Sequence, residues 1–299
     1  MPLNLIELGP QHLPVMLDIL AHTVYTNSLS ADWLRYRALE DPSCPADLSL
    51  VAQEHGQTVG VIVTRLRSNE AVVKIFAVHP EHRRQGVASA LFDELESRLR
   101  ARRVSKVTVG AVGPNFFVPG VDLRSTDAIS FLLHRGYDTD RIARVDMAVD
   151  LARADVDTSA EESRLAEAGI AVHRAKREEL PAVAEFALRH FSDGWRFEVL
   201  ETARFDPPPL FVAWKGAEVL SFGAYDVTGL TRFGPTGTRP DYRRQGLGGV
   251  LLKRCLGALR ERGEAVCEIG WAGPVGYYAR AVNAVIHKSY WSFTKTLEI

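Results

Sequence analysis

Apolar residues come in short runs. Leu50-Val51-Ala52 and Thr58-Val59-Gly60-Val61-Ile62-Val63 flank the polar stretch Gln53 to Gln57, which predicts strand, tight turn, strand. Val72 to Val78, broken only by Lys74, predicts another strand. The period then changes. Ala90, Leu91, Leu95 and Leu99 recur three or four residues apart around Glu94, Glu96 and Arg98, a helical pattern, and Val104 to Val109 returns to strand. The second half follows the same order. Leu210 to Gly223 reads as strand, turn, strand. Leu251, Leu252, Cys255, Leu256 and Leu259 form a helical stripe ending at Arg262-Gly263, before a strand from Ala265 to Ile269. Each half also opens alike, with Leu5 to Leu8 before a helix near His12 to Tyr25, and Ile170 to Arg174 before a helix near Arg177 to Arg189.

The repetition extends to the letters. Pro80-Glu81-His82-Arg83-Arg84-Gln85-Gly86-Val87-Ala88 returns as Pro240-Asp241-Tyr242-Arg243-Arg244-Gln245-Gly246-Leu247-Gly248, an offset of 160 residues from Gly86 to Gly246. The distance to the glycine closing the next strand is 24 residues in both halves, Gly86 to Gly110 and Gly246 to Gly270. Two copies of one unit explain this. The 299 residues divide into a first domain, 1–150, a linker, 151–168, ending in a short helix, and a second domain, 169–299.

In each copy a strand ends in a turn, and Arg-Arg-Gln-Gly opens a helix. Such a segment presents backbone N–H groups where the peptide dipoles point their positive ends. Gly86 and Gly246 let the backbone approach phosphate oxygens, Ala88 and Gly248 are small for the same reason, and the arginine pairs add charge-assisted contacts. The ligand implied is a diphosphate beside apolar faces. A plain turn is the competing reading of either glycine alone. A nucleotide P-loop requires Lys-Ser or Lys-Thr after its last glycine, and Ser89-Ala90 and Gly249-Val250 stand there instead. The dinucleotide fingerprint is missing from both halves.

With Val78, Pro80, Arg83, Gly86 and Ala88 in one half, and Pro240, Arg243, Gly246 and Gly248 in the other, the chain resembles the GNAT superfamily of N-acetyltransferases. Phe233-Gly234-Pro235-Thr236-Gly237-Thr238 and Ile269 to Ala284 look like a variant of the same pattern, with Asn283 where glycine is usual. The tandem arrangement is similar to mycothiol synthase-type proteins. The resemblance implies two α/β (α+β) domains, each a mixed, mostly antiparallel central sheet flanked by helices and splayed between its fourth and fifth strands. Acetyl-CoA, or another acyl-CoA, would lie in the splay as co-substrate. Its pyrophosphate would sit on Arg83, Arg84, Gln85, Gly86, Val87 and Ala88, or on Arg243, Arg244, Gln245, Gly246, Leu247 and Gly248. Its pantetheine would run along Phe76 and Val78, or Pro235 and Thr236.

The implied reaction is attack of an amine on the thioester. It needs a group to protonate the leaving thiolate and another to take the amine's proton. In the pair Tyr277-Tyr278, Tyr278 matches the family's general acid, and the first half has Leu132 there. Glu268, two residues before Gly270, is the candidate base; it could equally be a solvated strand residue. His79 is an alternative in the first half. Asn115 to Asp122 is an insertion able to cover the first groove, so turnover is expected in the second half. Trp271, at the strand exit, is the one tryptophan expected to meet a ligand.

Composition narrows the rest. Thirty-six basic and 37 acidic side chains give a net charge of -1, which argues against a nucleic-acid partner. Cys44, Cys255 and Cys267 have no metal-ligand spacing, so no metal is expected, and Cys255 belongs to a helix core. The start lacks a signal-peptide pattern and no run suits a membrane span. A cytoplasmic monomer or homodimer acting on a small-molecule or peptide amine is expected. An acyl-CoA-binding module without turnover and a non-enzymatic interaction protein are the alternatives.

Overall fold

The computed structural model describes residues 3–23, 29–110 and 113–299. The chain forms β1 (Asn4–Glu7), α1 (Leu13–Ala21), α2 (Ala31–Leu34), β2 (Leu50–Glu54), β3 (Gln57–Arg67), β4 (Glu70–Val78), α3 (Val87–Ala101), β5 (Lys106–Val109), β6 (Val121–Asp122), α4 (Thr126–His134) and β7 (Asp138–Thr139). There follow β8 (Arg144–Asp150), α5 (Ser159–Glu167), β9 (Ile170–Arg174), α6 (Leu180–His190), α7 (Asp193–Glu201), β10 (Leu210–Lys215), β11 (Glu218–Tyr225), β12 (Arg232–Thr238), α8 (Leu247–Glu261), β13 (Val266–Ile269), α9 (Val275–Val282), β14 (Val285–Trp291) and β15 (Phe293–Thr296). Tyr25, the expected end of the first helix, lies outside the described residues.

Two compact units result, and their limits differ from the expected boundaries. The first comprises residues 1–112, 116–144 and 289–299, and the second 113–115 and 145–288. Strand pairing, not chain order, is the cause. β8 pairs with β13 through Met147↔Ile269 and Val149↔Cys267, in the second unit. β15 pairs with β5 through Phe293↔Val109 and Thr294↔Thr108, in the first. Phe293 is fully buried in the first unit's core, and Met147 and Val149 in the second's.

In the first unit the strand order is β1-β2-β3-β4-β5-β15-β7. Alternation along β3 sends Ile62 towards α3, while Val61 and Val63 pack with Met16 and Ile19 of α1. The pairing of β4 with β3 slips between Val63↔Ile75 and Thr64↔Val73, so Lys74 is an extra residue, a β-bulge. The bulge reverses the facing. Ala71 and Val73 lie in the cluster with α3, whereas Ile75 and Ala77 lie in the cluster with α1.

The second unit orders its strands β14-β8-β13-β12-β11-β10-β9. The pairing of β11 with β12 slips between Gly223↔Thr236 and Tyr225↔Phe233, putting Gly234 and Pro235 opposite one residue. Helix α8 packs Leu251, Leu252, Cys255, Leu256 and Leu259 into the core, as their spacing predicts. The short helix expected in the linker is α5.

Candidate active site

Both repeated loops have one backbone. A short 3-10 turn, Pro80–His82 or Pro240–Tyr242, is followed by a left-handed second arginine, φ 60° at Arg84 and 64° at Arg244, then a left-handed glycine, φ 84° at Gly86 and 89° at Gly246. Side chains brace it identically. Arg83 Nε donates to the Val78 carbonyl at 3.2 Å and Arg243 Nε to Thr238 at 3.4 Å. Gln85 Nε2 donates to Glu81 O at 2.9 Å and Gln245 Nε2 to Asp241 O at 3.4 Å. Val87 and Leu247 bury their side chains and anchor the two helix starts, and Arg84 and Arg244 are exposed. A Cβ at Gly86 or Gly246 would meet nothing within 4 Å. The glycine is demanded by φ, and the space before it suits a phosphate cradle.

Beside each loop two parallel strands part. β4 and β5 pair from Glu70↔Lys106 to Val73↔Val109, and β12 and β13 pair at Arg232↔Glu268 and Phe233↔Ile269. The last pairs immediately precede the bulges. The Phe76 ring packs edge-on against Phe92, 5.2 Å between centroids, and Val78 packs on the same core. Only their backbone is therefore suited to a ligand. Pro235 is buried and has no N–H, so Gly234 carries the one backbone donor of the bulged pair. Thr236 Oγ1 donates to Phe222 O at 2.9 Å.

Helix α9 carries both tyrosines. Asn283 closes it in a left-handed conformation, φ 54°, which asparagine tolerates. Tyr278 is buried against Phe233, 6.2 Å between rings, and burial together with Tyr277 pushes its hydroxyl well above the ordinary tyrosine range. Tyr277, passed over in the sequence, turns to the helix start instead. Its hydroxyl lies 3.5 Å from where a Gly248 Cβ would stand and 3.8 Å from that of Gly249. This buried hydroxyl has no hydrogen-bond partner among the described residues. The doubled tyrosine was the only sequence signal for it.

Glu268 is not a solvated strand residue. Its Oε1 lies 3.0 Å from Arg232 Nε and its Oε2 2.5 Å from Lys288 Nζ. Burial alone would raise this carboxyl, but Arg232 and Lys288 outweigh it and hold it below the ordinary glutamate range. Asp146 of β8 completes the network, accepting from Arg232 at 2.6 Å and from the Trp271 backbone N–H at 2.7 Å. Trp271 has φ 47°, rare for a bulky residue, and its indole is exposed. Asp146 escaped the sequence reading because β8 was assigned to the other domain.

The first unit fills the corresponding space. Lys74 is buried, 2.9 Å from Asp41 Oδ2, and donates also to Arg37 O. Its Nζ lies 5.5 Å from the Phe117 ring centroid. The expected insertion passes here: a Cβ at Gly110 would lie 2.4 Å from Gly120 Cα, and Phe117 is buried with Ile75 and Ala77. Leu132 is fully buried in the core. His79 is half-buried in the turn ahead of the loop.

A family model described as the acetyltransferase (GNAT) family matches residues 18–117. Solved structures resemble the whole chain. A tandem GNAT protein from the clavulanic acid biosynthesis pathway superposes with a TM-score of 0.73 at 19% identity, over 100% of this chain and 99% of that one. This is a tandem GNAT fold. A GCN5-related glucosamine N-acetyltransferase region of a fungal multi-domain β-N-acetylglucosaminidase gives a TM-score of 0.78 at 18% identity, over 99% of this chain and 38% of that one. A GCN5-related N-acetyltransferase from Sphaerobacter thermophilus gives 0.71 at 16%, over 99% and 96%. In sequence, an acetyltransferase of Sodalis glossinidius is 36% identical over 69 residues, 23% of this chain and about half, 49%, of that protein. The matched segment is similar to the GNAT family, and the mixed, mostly antiparallel sheets splayed in each unit are as the resemblance implied. No described helix is long and apolar enough to cross a membrane.

Proposed function

We propose that the protein is an N-acyltransferase that moves an acyl group, acetyl in the simplest case, from acyl-CoA to a primary amine of a small molecule or peptide, with turnover in the second unit. The observation that carries this reading is the convergence, within that unit, of a left-handed glycine loop at a helix start, strands parting at a bulge, and two tyrosines on the adjoining helix.

Backbone N–H groups of Gly246, Leu247 and Gly248 would hold the diphosphate, with Arg244 at the rim. Pantetheine would pair along β12 beyond Phe233, and the Gly234 N–H would steady the oxyanion that forms as the amine attacks. Tyr278, kept protonated by burial, would give its proton to the departing thiolate. Tyr277 would donate to the diphosphate arm, which supplies a partner for its hydroxyl. A carboxylate held by two cations is a poor proton acceptor. We therefore assign Glu268 to orienting Arg232 and the Trp271 turn, with water taking the amine's proton.

A binding module without turnover is the second reading, favoured by Leu132 and the filled parting of the first unit. Calorimetry with acetyl-CoA, and thiol release across a panel of amines, separates the two. One acyl-CoA per chain, bound ~10- to 100-fold more weakly in Gly246→Trp, together with amine-dependent thiol release, is the expected result. Unchanged binding in that variant removes the loop from the mechanism, and binding without release on any amine favours the module.

A further inference from the structure

In the first unit Asp18 and His22 stand four residues apart at the end of α1, so their side chains share one face. His79, between β4 and the glycine loop, meets them. One ligand atom from each of the three lies within 4.8 Å of the other two. His22 Nε2 is 4.0 Å from Asp18 Oδ1, and His79 Nε2 is 3.9 Å from Asp18 Oδ2. These separations exceed hydrogen-bond range, and the His22 and His79 rings pack edge to face, 5.7 Å between centroids. Donor atoms on a tetrahedral zinc ion, each ~2.0–2.1 Å from the metal, stand about 3.4 Å apart. Contraction by less than about 1.5 Å, available to exposed side chains on a helix end, would reach that geometry.

We infer that Asp18, His22 and His79 form a site for a divalent transition-metal ion of the zinc class, with water as fourth ligand. Two imidazoles and one carboxylate are a donor set that zinc accepts and that calcium and magnesium, which prefer oxygen, do not. Solvent reaches the site, since the Asp18 and His22 side chains are 61% and 50% exposed. Chain position hid it, because 57 residues separate His22 from His79 and no cysteine takes part. The ion would tie α1 to the loop of the first unit, two elements already linked where Arg83 donates to both Val78 O and His22 O. This inference is independent of catalysis in the second unit.

The test is a Zn2+ titration of the full chain without an affinity tag, by calorimetry and by thermal denaturation. One ion per chain and a rise in Tm are expected. His79→Ala and His22→Ala should each weaken binding ~100-fold, at or beyond the upper end of the ~10–100-fold that loss of an outer-shell partner costs. His134→Ala, on an exposed helix end, should bind as the parent does. Asp18→Asn, close in shape to the original, covers the case in which an alanine variant unfolds, and equal metal-free Tm values show which variants are sound. No saturable binding, or binding that the three ligand variants leave within about twofold of the parent, would overturn the site.

Discussion

At one bulge, 160 residues apart in the chain, the first unit has Lys74 and the second has Gly234. Around Lys74 the parted strands enclose Asp41, the Arg37 carbonyl and Phe117, while Gly110 is pressed by the backbone of Gly120. Among the described residues, a Cβ at Gly234 would meet nothing within 4 Å. Gly270, the counterpart of Gly110, faces the Arg232 guanidinium, at 2.7 Å from where its Cβ would be. Identical loops therefore flank two different openings. A backbone can be kept through duplication while the side chains at one opening turn to packing.

The sharpest test of this difference is the proposed general acid. Tyr278→Phe should lower kcat by ~100- to 10,000-fold with KM little changed, whereas Tyr277→Phe should raise KM for acyl-CoA and spare kcat; steady-state kinetics distinguishes the two. Next, Gly246→Trp should weaken acyl-CoA binding ~10- to 100-fold, since a non-glycine residue at φ 89° carries about 1–3 kcal/mol of strain. Gly86→Trp, equally strained, should leave turnover unaltered, and loss of turnover there would dissolve the distinction between the units. Glu268→Gln should keep kcat within a few-fold while stability to urea falls; a loss of ~100-fold in kcat would restore it as the base. The smallest effect concerns the first unit alone. Burial would raise Asp41, but Lys74 and Ser43 bring its pKa to about 2, below the ordinary 3.8. The depressed value means that its stabilisation is complete above pH ~4 and is lost as the pH falls through about 2. Asp41→Asn should flatten that acid limb in a pH series of denaturation midpoints.

Much of this was legible in the letters. The loops and the helix stripes follow from local pattern, because glycine, arginine and apolar spacing act over a few residues, whereas the parting of the strands came only from the family resemblance. Cys255 was read as core and is fully buried. What escaped depends on contacts distant in the chain. Glu268 looked like a base because Arg232 and Lys288 are 36 and 20 residues away from it. Tyr277 and Tyr278 are neighbours in sequence, and only the rotation of α9 assigns one hydroxyl to the helix start and one ring to the core. The exchange of β8 and β15 left no local trace, since an apolar strand fits either sheet by pattern.

That exchange has a consequence for biogenesis. The first sheet closes on Phe293 to Thr296, which are made only after the second repeat, so β5 waits through that synthesis with its edge exposed. Neither repeat can be cut out as a gene fragment at 150 or 168 and remain whole: the leading piece would lack its closing strand, and a trailing piece begun at 169 would lack Met147 and Val149. Duplication has thereby become irreversible, because each copy now carries a strand that the other requires.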